Sequence, residues 1–203
     1  MVKDGYKFAS VPLALGLVAF LLRWNWAGAV LVFLAGFILY FFRDPERVPP
    51  ADPAAVVSPA DGRVMEIVDE PLGNRPGRRI SIFLAIWDVH VNRAPLAGRI
   101  SKIEYRPGRF HVAMRSRASR ENEQNVVHLA TARGEMLFRQ IAGWIARRVL
   151  FWKSEGDPVA LGERVGMIRF GSRVDVWLPR EAEVLVRPGQ HVAGGRSILA
   201  RWL

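Results

Sequence analysis

Two uncharged apolar runs, Phe8 to Leu22 and Trp26 to Phe42, follow each other with only Arg23, Trp24 and Asn25 between them. At about 1.5 Å of rise per residue, each run as a helix falls short of a hydrocarbon core of roughly 30 Å. Tyr6, Lys7, Trp24 and Arg43 flank the runs and can sit at an interface or snorkel, which makes two tight spans feasible. A signal peptide is disfavoured, because two apolar runs occur in succession and no small-residue cleavage site stands out. Lys3, Lys7, Arg43 and Arg47 flank the outer ends and Arg23 alone occupies the turn, so the positive-inside rule places both ends in the cytoplasm. A re-entrant hairpin in one leaflet is also compatible; two spans are preferred. Arg43-Asp44-Pro45-Glu46-Arg47-Val48-Pro49-Pro50 then ends the second run, since its prolines cannot continue a helix. The expected division is a membrane-anchoring hairpin over residues 1–48 and a second domain over 49–203.

Composition enters at this point. Half of the 203 residues are hydrophobic, yet the formal net charge is +10. Together these point to a membrane-associated protein facing anionic lipid. A basic nucleic-acid binder would share the charge, but the N-terminal hairpin and the scattered aromatics argue against it, and no nucleic-acid partner is expected. With no cysteine, neither disulfides nor thiolate metal sites are available. His111, His128 and His191 show no ligand spacing; they read as structural or exposed, and no metal is expected.

Beyond the linker the pattern changes to short strands separated by Gly, Pro and Asp turns: Gly62 to Val68, Arg79 to Val91, and Ile100 to Tyr105. Gln140 to Trp152 suits either a helix or buried strands. Gly156 to Glu163 and Gly189 to Gly195 echo one another as turn-strand-turn units of the kind that builds small sandwiched barrels. The expected fold is mainly β: a small sandwiched-barrel catalytic domain preceded by the helical hairpin.

Three constellations stand out within it. Met167 to Leu178, taken as one extended segment, alternates with period two, and Ser172 sits alone among Ile168, Phe170, Val174, Val176 and Leu178 on the apolar face, directly after Gly171. A buried serine bonded to a neighbouring strand is the ordinary explanation. Ser58-Pro59-Ala60-Asp61-Gly62 has the chemistry of a β-turn, in which Asp61 would ordinarily be a turn-stabilising carboxylate. On the even face of Ile80 to Pro95, Ile80, Ile82, Leu84 and Ile86 give way to Asp88, His90 and Asn92, where a regular strand would deliver polar groups into a site.

These pieces gain weight in order along the chain. Phe41-Phe42-Arg43-Asp44-Pro45, Ser58-Pro59-Ala60-Asp61-Gly62, Asp88-Val89-His90-Val91-Asn92-Arg93-Ala94-Pro95, Glu121-Asn122-Glu123-Gln124-Asn125, Gln140-Ile141-Ala142-Gly143 and Phe170-Gly171-Ser172-Arg173-Val174-Asp175 succeed one another. The series resembles the short form of the phosphatidylserine decarboxylase proenzyme family over nearly the whole chain. The resemblance implies a pyruvoyl-dependent, self-processing membrane lyase that converts phosphatidylserine to phosphatidylethanolamine through a Schiff base on the pyruvoyl group. It makes Gly171–Ser172 the self-cleavage bond and Ser172 the source of the covalent pyruvoyl cofactor, with Asp61 and His90 at the family's acid–base positions. Which of those two is the base for cleavage stays open. His90 is the candidate for protonating the headgroup carbon after CO₂ leaves.

Longer bacterial relatives carry a second histidine where this chain has Arg93, and tend to have Leu and Thr where it has Phe170 and Arg173. An arginine cannot serve as a base. Arg93 or Arg173 is instead a candidate for pairing with the substrate's phosphate or carboxylate. The resemblance also places Asn122 and Asn125 near the substrate. Arg106, Arg109, Arg115, Arg117 and Arg120 form a basic stretch that reads equally as a solvated loop or a membrane-facing patch. The implied partners are an anionic serine phospholipid, the cytoplasmic face of the cell membrane, and the chain's own two cleavage products, which relatives suggest dimerise further. An archaeal-type serine ether lipid is the alternative substrate. A non-catalytic, membrane-tethered lipoyl-like module is the alternative of a different class, although no Lys stands at a hairpin tip as a lipoyl site needs.

Overall fold

The computed structural model describes residues 1–109, 111, 121–143, 149–169 and 172–203. Phe170 and Gly171, with Arg115, Arg117 and Arg120 of the basic stretch, lie outside the described residues. The chain divides into two compact units, Met1–Glu46 and Arg47–Leu203.

The first unit is a helical hairpin, α1 (Lys3–Leu21) and α2 (Asn25–Phe41), turned at Arg23 with φ 62°. Its contact face is built from small residues: Gly5, Ala9, Gly16 and Ala19 on α1, with Gly28 and Ala35 on α2. A Cβ on Gly28 would come within 2.8 Å of the Phe20 ring, so the approach of the helices depends on the missing side chain. Leu15, Leu17, Leu21, Val30 and Phe33 are exposed on the outside. Small residues inside and large apolar ones outside is the pattern of helices packed in lipid, where burial of apolar surface against water is not the driving force. Of the two, α1 is long and apolar enough to cross a membrane, and α2 is a shorter apolar helix. This apolar surface points to membrane association.

The second unit is mainly β, as the turn-punctuated sequence predicts. Its large sheet curls into a half-barrel with the order β13-β2-β3-β11-β7-β6-β5-β9. The strands are β2 (Gly62–Asp69), β3 (Gly77–Leu84), β5 (Gly98–Arg106), β6 (Gln124–Thr131), β7 (Gly134–Ile141), β9 (Pro158–Val159), β11 (Ser172–Pro179) and β13 (His191–Val192). Two three-stranded sheets complete the unit among the described residues: β4 (Val91–Arg93), β10 (Arg164–Ile168) and β8 (Val149–Phe151), in the order β4-β10-β8; and β1 (Ala55–Val57), β14 (Ile198–Arg201) and β12 (Glu183–Val184), in the order β1-β14-β12. The inner face of the large sheet carries Val64, Ile80, Ile82, Leu84, Phe138, Val174, Val176 and Leu178, nearly all fully buried in one core. Each such aliphatic side chain contributes about 1.5–3 kcal/mol of burial.

Two expected strands are broken in the fold. Met167 to Leu178 is not one extended segment: β10 pairs with β4 and β8, whereas β11 pairs with β3 and β7, so the chain changes sheets just before Ser172. Ile80 to Pro95 is likewise two strands, because a turn intervenes in which the Asp88 carboxylate accepts the Ala85 N–H at 2.8 Å. In both cases the period-two alternation runs across a change of sheet.

The alternation along β11 survives, but its polar side is not a solvent face. Arg173 is 1% exposed and Asp175 0%. A bulge in β2 between Val64 and Glu66 turns Glu66 to the same outer side, opposite Ser81. There the Arg173 guanidinium donates to Asp175 (2.6 Å), Glu66 (2.8 Å) and the Ser81 hydroxyl (2.7 Å). Arg79 joins the cluster through Glu66 and Glu70.

Candidate active site

Ser172 opens β11, the strand held between β3 and β7, with Leu84 directly opposite it. Its side chain is completely buried, and its Oγ has no hydrogen-bond partner among the described residues. The ordinary explanation for a serine on an apolar strand face, a bond to a neighbouring strand, is therefore not what the structure contains. An unpaired buried hydroxyl costs about 1–3 kcal/mol, which a packing role alone does not justify.

Asp61 is positioned by its turn. The Ser58 hydroxyl donates to the Ala60 carbonyl at 2.6 Å, and the loop is tied down by Arg93 N–H to Pro59 O and Gly195 N–H to Ser58 O. Gly62 follows with φ 148°, where a Cβ would meet the Phe83 carbonyl oxygen at 2.1 Å, so only glycine closes this turn. The Asp61 carboxylate accepts the Gly194 N–H at 2.7 Å and the Arg47 guanidinium at 2.8 Å. Burial pushes its pKa up, against the opposing pull of the Gly194 N–H and Arg47; Asp88 adds to the rise and His191 opposes it.

A raised carboxyl pKa means that the fold disfavours the charged form. The penalty sets in as pH climbs through the interval above the ordinary value of 3.8 and is complete beyond the raised value. Asp61→Asn removes the charge and keeps an acceptor for Gly194. Its melting temperature at pH 7.5 is expected to equal or exceed that of the parent, with the advantage disappearing below pH 3.8; scanning calorimetry at several pH values measures this. A lower melting temperature at pH 7.5 would show that the Arg47 contact outweighs desolvation.

His90 is fully buried just before β4, and its Nδ1 lies 2.9 Å from the Asp88 carbonyl. A carbonyl only accepts, so Nδ1 carries the proton and Nε2 is the basic nitrogen of the neutral ring. The Asp88 carboxylate meets His191 Nε2 at 3.1 Å. His191 reaches this cluster because β13 pairs with β2 at Arg63, next to the Asp61 turn. Spacing in the sequence carries no trace of that contact, since Asp88 and His191 are brought together only by the fold.

The other expected site residues have structural partners. Asn122 donates to the carbonyls of His111 (2.8 Å) and Ala142 (2.7 Å) and accepts the His111 N–H, so its amide pins the segment entering β6. Asn125 is buried in β6 between Tyr105 and Gln140. Arg93 donates to the Gly162 carbonyl at 3.1 Å, and its stem packs so closely on Gly195 that a Cβ there would lie 2.6 Å from it. Arg173 belongs to the buried ion cluster on the outer side of β11, the side opposite Ser172. Arg106, at the start of the basic stretch, is paired with Glu104.

Residues 34–200 match the family model described as phosphatidylserine decarboxylase. A phosphatidylserine decarboxylase proenzyme of Solibacter usitatus is 52% identical over 207 residues, covering 100% of this chain and 97% of that protein. The protein of the same name from Symbiobacterium thermophilum is 44% identical, covering 99% of this chain and 95% of its own length. That from Salinibacter ruber is 49% identical across 88% of this chain and 82% of its own length. A buried serine without a hydrogen-bond partner among the described residues heads a central strand in a chain that belongs to the phosphatidylserine decarboxylase family.

Proposed function

We propose that the chain is a self-processing decarboxylase that forms phosphatidylethanolamine from phosphatidylserine, using a pyruvoyl group made from its own Ser172. The observation that carries this reading is the Ser172 hydroxyl, wholly buried and without a hydrogen-bond partner among the described residues. A residue whose hydroxyl is consumed in maturation fits such a position, because the resulting ketone brings no donor into the apolar face shared with Val174 and Val176.

In maturation, Ser172 Oγ adds to the Gly171 carbonyl carbon, the C–N bond breaks, and an ester with a free amine results. Loss of the Ser172 α-proton then breaks the Cβ–Oγ bond and releases the Gly171 carboxylate. Water displaces ammonia from the dehydroalanine left behind, giving the ketone. A serine hydroxyl needs a base held in geometry to begin this. Asp61 and His90 supply the acid–base pair: His90 carries a proton on Nδ1, bonded to Asp88 O, which makes Nε2 its basic nitrogen, and burial keeps Asp61 protonated to higher pH than an exposed aspartate.

The ketone, conjugated to an amide, supplies an electron sink for the bond that releases CO₂. His90 then returns a proton to the headgroup carbon. The α1–α2 hairpin, with Lys3, Lys7 and Arg43 at its outer ends, holds the protein on the cytoplasmic face of the cell membrane, where the lipid substrate resides.

Intact mass of the purified protein tests the reading. Two species are expected, residues 1–171 and residues 172–203, and the smaller one should resist Edman degradation because its terminus is a ketone. Full-length protein that nevertheless releases CO₂ from phosphatidylserine would falsify it.

A further inference from the structure

Two motifs singled out in the sequence, Asp88–Pro95 and Gln140–Gly143, meet in the interior through a pair of amides. Asn92 on β4 and Gln140 on β7 are both 0% exposed, and Gln140 Nε2 donates to Asn92 Oδ1 at 2.8 Å. Among the described residues each amide keeps one polar atom without a partner, Asn92 Nδ2 and Gln140 Oε1. Gln140 Nε2 also donates to the Leu150 carbonyl at 3.5 Å, which fixes the orientation of its amide, so one N–H donor on Asn92 and one carbonyl acceptor on Gln140 are left over.

The pair lies on the same side of the sheet as Ser172. Gln140 stands opposite Val174 in the β7–β11 register, and Ser172 is two residues further along that face. Such diagonal neighbours are about 7–8 Å apart, a span that a small headgroup bridges. Asn92 stands in β4 two residues after His90, which precedes that strand.

We propose that this amide pair recognises the α-amino acid end of the lipid headgroup, the free N–H donating to its carboxylate and the free carbonyl accepting from its amine. The inference rests on the decarboxylase reading above and adds to it the element that separates a serine lipid from its ethanolamine product. The two arginines that the sequence offered for the substrate have partners of their own, Arg173 in Asp175 and Glu66 and Arg93 in the Gly162 carbonyl. A neutral donor suits the chemistry better than either would. It orients the carboxylate without the ion pair that would stabilise the negative charge in the ground state and so oppose loss of CO₂.

The test is equilibrium binding of dihexanoyl phosphatidylserine and dihexanoyl phosphatidylethanolamine by calorimetry. It uses the full-length cleaved protein in detergent, with its ketone first reduced by borohydride so that nothing turns over. The parent should prefer the serine lipid. Asn92→Asp keeps an acceptor for Gln140 Nε2 but replaces the donor with a like charge; it should lose about tenfold or more on the serine lipid and little on the ethanolamine lipid. Asn92→Leu/Gln140→Met removes both orphan atoms at near-constant volume, so it should fold and cleave at least as well as the parent while the preference for the serine lipid collapses. An unchanged preference, a parallel loss for both lipids, or failure of both variants to cleave would overturn the proposal and leave the pair a structural one. Absence of cleavage in the parent protein would instead overturn the decarboxylase reading itself.

Discussion

Ser172→Ala is expected to run as a single full-length species under conditions where the parent is fully divided, and to release no CO₂ from phosphatidylserine. The effect should be absolute, because alanine supplies no oxygen to attack the preceding carbonyl and no leaving group for the later elimination. Loss of folding does not provide an escape. Ser172 lies on an inner face with Val174 and Val176, all 0% exposed, and its hydroxyl bonds to nothing among the described residues. Alanine therefore removes an unpaired polar atom from the core, and the melting temperature should stay level or rise. Ser172→Cys supplies a sulfur nucleophile of similar shape and should cleave partially. Two fragments from the alanine variant in parental amounts would mean that a protease, and not this hydroxyl, divides the chain.

The legible part of this fold is the part governed by local periodicity. The turn at Ser58–Gly62, the strands Gly62–Asp69 and Gly98–Arg106, and the inner row Ser172, Val174, Val176 and Leu178 follow from glycine and proline placement and from alternation. The rest depends on what covers each face, which alternation does not encode. The row Arg173, Asp175 and Trp177 alternates with the apolar one and is itself buried in the fold. Its partner Glu66 reaches it only because a bulge after Val64 shifts the register of β2. Asn92 with Gln140 and Asp88 with His191 are likewise made by sheet order, across separations of 48 and 103 residues. Their side chains carry no mutual spacing signal. The same applies to the strand break before Ser172, since residues on either side continue one alternating pattern while pairing in different sheets.

That buried outer row yields the largest stability effect. Arg173→Met should lower the stability of the second unit by about 3–5 kcal/mol, the cost of leaving a buried charge without its partner. Asp175, 0% exposed, would keep Arg79 at 3.7 Å and the more distant charge of Arg139, which stands opposite it on β7, and its Oδ2 already lacks a hydrogen bond among the described residues. For a domain of this size the corresponding fall in melting temperature is about 10 °C. Arg173→Met/Asp175→Leu removes both charges and should recover much of the loss, so a double-mutant cycle separates the ion pair from packing. Acid should act in the same direction. Burial raises the Glu66 pKa, but the bonds from Arg79 and Arg173 outweigh it and hold it below the ordinary 4.5. A carboxylate lowered in the fold lends stability above its unfolded value and loses it as pH falls through the folded one, so the parent should weaken below pH 4.5 and the Arg173→Met variant less steeply. The consequence reaches the reaction because Arg173 adjoins Ser172. The proposed cleavage would make residue 172 a terminus, leaving β11 to be kept in line by its ladders to β3 and β7 and by this cluster. Equal stability in parent and Arg173→Met would show that the cluster contributes nothing to holding that strand.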